Sequence, residues 1–586
     1  MNWRAFLGAA ASLLISCNAL AQSAPNWVNG YNPQAAEWNA WWGKKLDVAN
    51  TNVLFAVGLD LSGATSSDIP LAASIAQCVS TGGHLFIPSG QILLTGSVGT
   101  NNLANCVIEG TGVIGAASGI TASYGTTFLL TSTTVTPFTI GSNWGMRGIN
   151  FYHPNQTNGT TVYPAVFTEN ATTGAVHWYV DHINIINAYD GFNLATSAAG
   201  TGAWQVSHSW IYTTHDAFQL NYVGDTFHID DVQFTPGTWL QFCGFSLACK
   251  TAIDAGSNNN TIYHIKGGAA INMIVTNSAA FDWRYGFKLD ATAIVGISDI
   301  TMTWDGVQTI LDTTSGGSWS IQIPFRGQGD CGAPSYVTGL NKVGANAPCF
   351  NLGNNGGLYL DNYLSTDTQG SMVATAGANV SVVGGALGPI GQIKDGGDYY
   401  AVLATANSGG TTVNVQSTVI TGNQTAHEHG IVTTAAIPRV IIQNNEFAYL
   451  NDDVTIQSAP TTIITGNWSV STLGSASLSV SGTNQVTHAN NQWDKPPLSS
   501  LSSCGTGAVS HAGFSGYIQT GTGTVTTCTD TLPFVPYGDG TGDCIFSAAN
   551  GTTVSSSVSG APPAWVLTFG TSSPSTKIYQ SCTGFQ

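Results

Sequence analysis

Along most of the chain, apolar and polar residues alternate in short runs that end in Gly, Asn, Ser or Asp. Such runs are half-buried strands bounded by turns. Four of them, VNVQSTVI, PRVII, TTII and NQVTH, precede or overlap the matching phrases ITGNQ, QNNEF, ITGNW and ANNQW. The asparagines of those phrases, Asn423, Asn445, Asn467 and Asn491, are separated by 22, 22 and 24 residues. A period of that length, made of short strands and small turn residues, predicts a stacked coil. The specific expectation is an all-β chain folded as a right-handed parallel β-helix, each coil climbing roughly 4.8 Å. An Asn at the same turn of each coil would hydrogen-bond its neighbours above and below.

The pattern continues upstream. MRGINF, VDHINI, VSHSWI and IDDVQF place Gly148, His182, His208 and Asp231 at one corresponding position, with steps of 34, 26 and 23 residues. The long first step implies a loop inserted around Asn155–Pro164. Further coils read AINMIV, ISDITM and VSVVGG, and the solenoid ends near Trp493. Two regions depart from it. Ala35 through Lys45 reads as an amphipathic helix with Trp38, Trp41 and Trp42 on its apolar side, suited to capping the open strand edge. After Lys495-Pro496-Pro497 and a Ser-rich run, residues 500–586 alternate again and carry four Cys, which predicts a small disulfide-pinned β-domain. The expected organisation is residues 1–21 as an export signal, 22–57 as a helical cap, 58–495 as the β-helix and 496–586 as the C-terminal β-domain.

Composition narrows the partners. Only 8 % of residues are charged and 43 % are hydrophobic, with 70 Gly among the 586 residues, which excludes global disorder. The net charge of −17 becomes −18 once residues 1–21, with Arg4 and no acid, are removed. A chain so poor in Lys and Arg is unsuited to nucleic acid or anionic membrane. The start, MNWRAFLGAAASLLISCNALAQ, has the form of an export signal cleaved after Ala21. Leu14-Ile15-Ser16-Cys17 supplies a competing lipoprotein reading with Cys17 lipidated. The apolar stretch is too short to span a bilayer. The protein is therefore expected to be secreted or at the cell surface. Ten Cys beyond Cys17 fall as neighbours: Cys78/Cys106, Cys243/Cys249, Cys331/Cys349, Cys504/Cys528 and Cys544/Cys582. Local disulfides suit an exported solenoid. No cofactor or metal is expected; His427-Glu428-His429 is metal-like but lacks a helical frame.

Residues 58–98 contain Asp60, Gly63 and Asp68, a short helix over Ile69–Val79, then Gly82-Gly83, Ile87-Pro88 and Gly90. This order resembles the entry coil of the pectate-lyase-like superfamily and of phage tailspikes. The resemblance implies a pectin-lyase-like solenoid, and its tailspike side implies a homotrimer. GYNPQAAEWN near the start and the C-terminal region also resemble segments of phage and prophage tail proteins.

The densest polar chemistry lies between residues 177 and 231. NAYDGFNL and TTHDAFQL carry Asp190 and Asp216 at the same place, 26 residues apart. Stacked coils would set the two carboxylates roughly 5–7 Å apart. Such a pair is the minimum for glycosidic hydrolysis, one acid protonating the leaving oxygen and the other activating water or attacking. Mutual repulsion raises one pKa, as an acid catalyst requires. The phrases resemble polygalacturonase-type hydrolases, with Asp190-Gly191 matching one motif and His215-Asp216 the next. The family's Gly-His-Gly and Arg-x-Lys are absent, so galacturonan is not implied. The competing role for Asp190 is to cap a turn before Gly191. His215 could orient or exchange a proton. His182, His208 and Asp231 fit turn hydrogen bonding, while Asp181 and Asp230 flank them and could face a groove. Asp282-Trp283-Arg284 and Lys288 form a second cluster, and Arg284 near Asp230 or Asp231 would suit a lyase. Trp178, Trp204, Trp210, Trp239, Trp283 and Trp304 suggest a track for sugar rings. The function expected is degradation of an extracellular polysaccharide, hydrolase before lyase. The alternatives are a non-catalytic glycan-binding tailspike-like protein or adhesin, and a structural surface protein.

Overall fold

The computed structural model describes residues 53–583 apart from several internal segments, of which 113–124, 235–259, 332–346 and 532–542 are the longest. The export segment, the helix at Ala35–Lys45, Trp239, Cys243, Cys249, the Lys495-Pro496-Pro497 linker and the side chains of Cys544 and Cys582 lie outside the described residues. The chain forms two compact units, Met1–Thr214 with Gly237–Phe242, and His215–Pro236 with Cys243–Gln586. Both contain parallel β coils, and the fold is a right-handed parallel β-helix.

The first unit begins with the entry coil. Asp60 accepts hydrogen bonds from the backbone and side chains of Ser62 and Thr65, at 2.6–2.9 Å. These bonds hold its carboxyl well below the usual carboxylate range. The helix Asp68–Thr81 buries Leu71, Ser74, Ile75 and Cys78 and ends on Gly82 in the left-handed region. That conformation is cheap for Gly and closes the helix end. A disulfide joins Cys78 to Cys106, at the start of the strand Val107–Glu109. This strand pairs with Gly145–Tyr152, which pairs with Ala175–Ala188, which pairs with Thr201–Thr213. The longer strands turn a corner within themselves. The corner residues have positive φ: 69° at Gly148, 49° at His182 and 44° at His208. The expected common position is thus a left-handed corner, repeated once per coil.

Strand alternation decides what faces inward. In Ala175–Ala188, Trp178 and Val180 are buried while Tyr179 and Asp181 face outward. Trp178 lies opposite Trp204, and their rings stack at 4.8 Å with 3° between planes. Trp144 continues the stack at 5.5 Å from Trp178. These rings are core.

The second unit repeats three strands per coil. One face runs through Gly357–Asp361, Asn379–Val383, Thr412–Gln416, Arg439–Gln443, Thr461–Thr465 and Gln485–Ala489. Corners with positive φ recur at Asp231, Asn277, Asn362, Gly384, Ser417, Asn444, Gly466 and Asn490. An asparagine ladder follows the last of them. Asn467 Oδ1 accepts from the backbone and side-chain amides of Asn445, both at 3.0 Å. Asn491 Oδ1 accepts from Asn467 in the same way, at 2.9 and 2.8 Å. Their own side-chain amides donate to the carbonyls of Val415, Ile442 and Ile464.

Asn423 is not a rung, contrary to the sequence expectation. Its place is taken by Thr418, whose N–H donates to Asn445 Oδ1 at 3.0 Å. Ile464-Thr465-Gly466 finishes a strand and enters the corner, whereas Ile420-Thr421 belongs to the strand after its corner, Ser417. The same three letters sit on opposite sides of the bend.

Disulfides Cys331–Cys349 and Cys504–Cys528 lie in this unit, as expected from neighbour pairing. The C-terminal strands form two four-stranded antiparallel sheets, the first starting at Ser500–Ser502. Cys504, Ile518, Val525, Cys528, Leu567 and Ile578 form their core. Backbone pairing sets Cys544 opposite Cys582.

Candidate functional site

In the second unit, alternation builds a column of inward aromatic rings and, beside it, an outward polar column. Phe218, Tyr263 and Phe287 stack in the core, at 5.6 and 4.6 Å between rings. Burial raises the Tyr263 hydroxyl well above its ordinary pKa. The next residue of each strand gives Gln219, His264 and Lys288 in register. Asp290 is brought beside His264 because its N–H donates to the Ile265 carbonyl at 2.9 Å.

The result is one imidazole between two carboxylates. His264 Nδ1 is 2.9 Å from Asp216 Oδ2, and His264 Nε2 is 3.3 Å from Asp290 Oδ1. His215 Nδ1 is 3.5 Å from the same Asp216 oxygen. Asp216 is completely buried, His264 is 12 % exposed and Asp290 41 % exposed. A buried carboxylate is costly unless paired and hydrogen-bonded. The two histidines supply that pairing. Protonated His264 would neutralise Asp216 and hold a proton one bond from a carboxylate at the surface, a short relay from interior to solvent.

His215 and Asp216 thus fall together as expected, joined by two residues the sequence reading missed, His264 and Asp290. The expectation used coil steps of 23–26 residues, but His264 is 48 residues beyond Asp216 because residues 235–259 intervene. The remaining signal was the alternation in TIYHIK, which turns His264 outward once Tyr263 is assigned inward.

Asp190 is part of the first unit, where its backbone carbonyl accepts the Val166 N–H at 3.2 Å. Asp230 is half-buried, its Oδ1 accepting from Thr276 Oγ1 at 2.7 Å and from Asn277 Nδ2 at 2.9 Å. Asp231 is the exposed corner residue beside it. The Arg284 guanidinium lies over the Tyr285 ring at 5.2 Å and the Lys288 ammonium over the same ring at 5.3 Å. The Arg284 N–H donates to Asn260 Oδ1 at 3.3 Å.

The expected tryptophan track is corrected. Trp178, Trp204, Trp283 and Trp304 are at most 3 % exposed and face the core. An inward-pointing ring cannot stack on a sugar. Trp210 is half-buried, 6.3 Å from the Tyr212 ring. In His427-Glu428-His429, Glu428 turns inward and accepts from the Thr425 N–H at 2.6 Å. His427 and His429 face Asp398 and Asp452, at 3.0 and 3.2 Å.

No protein-family model and no curated protein matches the chain. Solved structures with some likeness include a tailspike protein of E. coli bacteriophage HK620 in complex with a pentasaccharide, with TM-score 0.42 and 9 % identity over 92 % of this chain and 94 % of that one. Another is the A-module of a mannuronan C-5 epimerase from Azotobacter vinelandii, with TM-score 0.40 and 13 % identity over 75 % and 98 % of the two chains. A third is the catalytic unit of an α-1,3-glucanase from Streptomyces thermodiastaticus, with TM-score 0.34 and 12 % identity over 76 % and 70 %. At these values the functional conclusion rests on the residues of this chain.

Proposed function

We propose that this protein cleaves a polysaccharide outside the cytoplasm, and that Asp216, His264 and Asp290 carry the proton transfer. The observation behind this reading is the single imidazole held at both nitrogens by carboxylates, one fully buried and one open to solvent. Glycosidic cleavage needs a proton delivered to the leaving oxygen. Asp290 is the surface group that would deliver it while water adds to the anomeric carbon and loses its proton to solvent, His264 would reprotonate Asp290, and buried Asp216 would orient His264 and balance its charge. His215 is a positioning residue for Asp216. Hydrolysis is preferred to elimination because this arrangement supplies an acid at the surface. Export and assembly as a homotrimer belong to the same proposal.

A second reading, binding without cleavage, is favoured by Tyr285. Its half-buried ring carries Arg284 and Lys288, a platform that suits a sugar face or an anionic substituent.

One assay separates the two. Wild type, Asp216→Asn and His264→Gln are offered a panel of capsular and exopolysaccharides, and new reducing ends are counted. The expected outcome is a loss of 100-fold or more in both variants, on the scale of about 10²–10⁴ for a general acid–base group. Thermal melts show whether each variant is folded. Equal turnover in all three proteins would remove the site assignment. Products absorbing as unsaturated uronates would replace hydrolysis by elimination. Binding with no cleavage by wild type would establish the second reading.

A further inference from the structure

We propose that Asp181, His182 and His208, in the first unit, form a binding site for a divalent transition-metal cation of the zinc, nickel or copper class. The strands Ala175–Ala188 and Thr201–Thr213 run in register, with Asp181 opposite Ser207. The next residue of each strand is the corner, so His182 and His208 are stacked one above the other, rings 4.8 Å apart and 24° from parallel. Both imidazoles turn Nδ1 to the same carboxylate. His208 Nδ1 is 2.7 Å from Asp181 Oδ1, and His182 Nδ1 is 2.9 Å from Asp181 Oδ2. The three ligand atoms all lie within 4.8 Å of one another.

Three features distinguish this cluster from an ordinary surface ion pair. First, the donor set is two imidazole nitrogens and one carboxylate oxygen. That set suits zinc, nickel or copper rather than calcium or magnesium, which favour oxygen ligands. Zinc bonds of about 2.0–2.1 Å imply tetrahedral edges of roughly 3.3 Å, and the three ligand atoms already lie within 4.8 Å of one another. Second, a hydrogen bond already orients the carboxylate from behind: Ser207 Oγ donates to Asp181 Oδ1 at 2.9 Å. Outer partners of this kind fix a ligand's direction before a cation arrives. Third, the two histidines occupy left-handed corners, where a side chain other than Gly, Asn or Asp costs on the order of 1 kcal/mol. In the second unit most such corners are Asn or Gly.

Access and charge also fit. The side chains of His182 and His208 are 57 % and 47 % exposed, leaving at least one coordination position to water or to an oxygen of a bound molecule. Arg147, opposite Asp181 on the preceding coil, is the nearest opposing charge named by the register, and its guanidinium is bound by Glu109 at 2.8 Å.

The test uses the whole chain and the metal alone. Zinc or nickel chloride is titrated into wild type, His182→Asn and His208→Asn, by calorimetry or with a competing chelator dye. Asn is at home in a left-handed corner, so both variants keep the backbone, and metal-free thermal melts check this. Wild type is expected to bind one more equivalent than either variant, or to bind that equivalent at least 10-fold more tightly, and metal is expected to raise its melting temperature more than theirs. Identical stoichiometry, affinity and thermal response in all three proteins, or no binding by wild type, would overturn the proposal.

Discussion

His153 shows how one side chain can set a pH response. It is 1 % exposed, its ring sits 4.6 Å from that of Tyr163, and neither ring nitrogen has a hydrogen-bond partner among the described residues. Burial pushes its pKa down to about 3. The unfolded chain, with a value near 6.5, therefore takes up a proton first as the pH falls. The stability contributed by this group is complete above about pH 6.5 and is lost toward pH 3, by up to about 1.4 kcal/mol per unit. Urea unfolding at pH 7 and pH 5 should show the loss in wild type and a smaller one in His153→Leu. Parallel losses in both would mean that other groups dominate. His264 shows the opposite use of a histidine, with both nitrogens engaged. Neither environment is visible from a lone histidine in a sequence, because partners one or two coils away decide it.

Ladders and corners are properties of elements. Asn467 makes five of the hydrogen bonds that link consecutive rungs and strands, four of them through its side chain. Asn467→Ala leaves buried donors and acceptors of its neighbours without partners, at about 1–3 kcal/mol for each unsatisfied group. Thermal unfolding followed by circular dichroism should show a clearly lowered midpoint, whereas Asn423→Ala, off the ladder, should shift it much less. Equal shifts would contradict the register. This is also where reading the sequence worked and failed. Period and alternation identified the coils and placed Gly148, His182, His208 and Asp231 at one corner correctly. Matching letters alone misplaced Asn423, because identical tripeptides occur before and after a bend. Strand alternation already had Trp178 inward beside outward Asp181, yet counting tryptophans across coils obscured it.

At the scale of the whole molecule, the expectation of a parallel solenoid followed from composition and period together, while the candidate centre was only half legible. His215 and Asp216 were in hand; His264 and Asp290 were hidden by an insertion that broke the count. Disulfides Cys78–Cys106, Cys331–Cys349 and Cys504–Cys528 suit an oxidising compartment and support the proposed export. Intact mass of protein recovered from the medium should correspond to a chain beginning at Gln22, and light scattering should give three times the chain mass. A lipid adduct on Cys17 would replace the first expectation, and a monomer the second. The left-handed corners carry a last consequence. Within each unit they hold Gly, Asn, Asp, Ser or His with φ between 44° and 70°. The same corner geometry accepts more than one side chain, at a cost on the order of 1 kcal/mol where it is not Gly, Asn or Asp. Within a unit, each corner is a socket spaced one strand from the next. New chemistry can thus be written along this edge, by evolution or by design, one residue at a time and without rebuilding the scaffold.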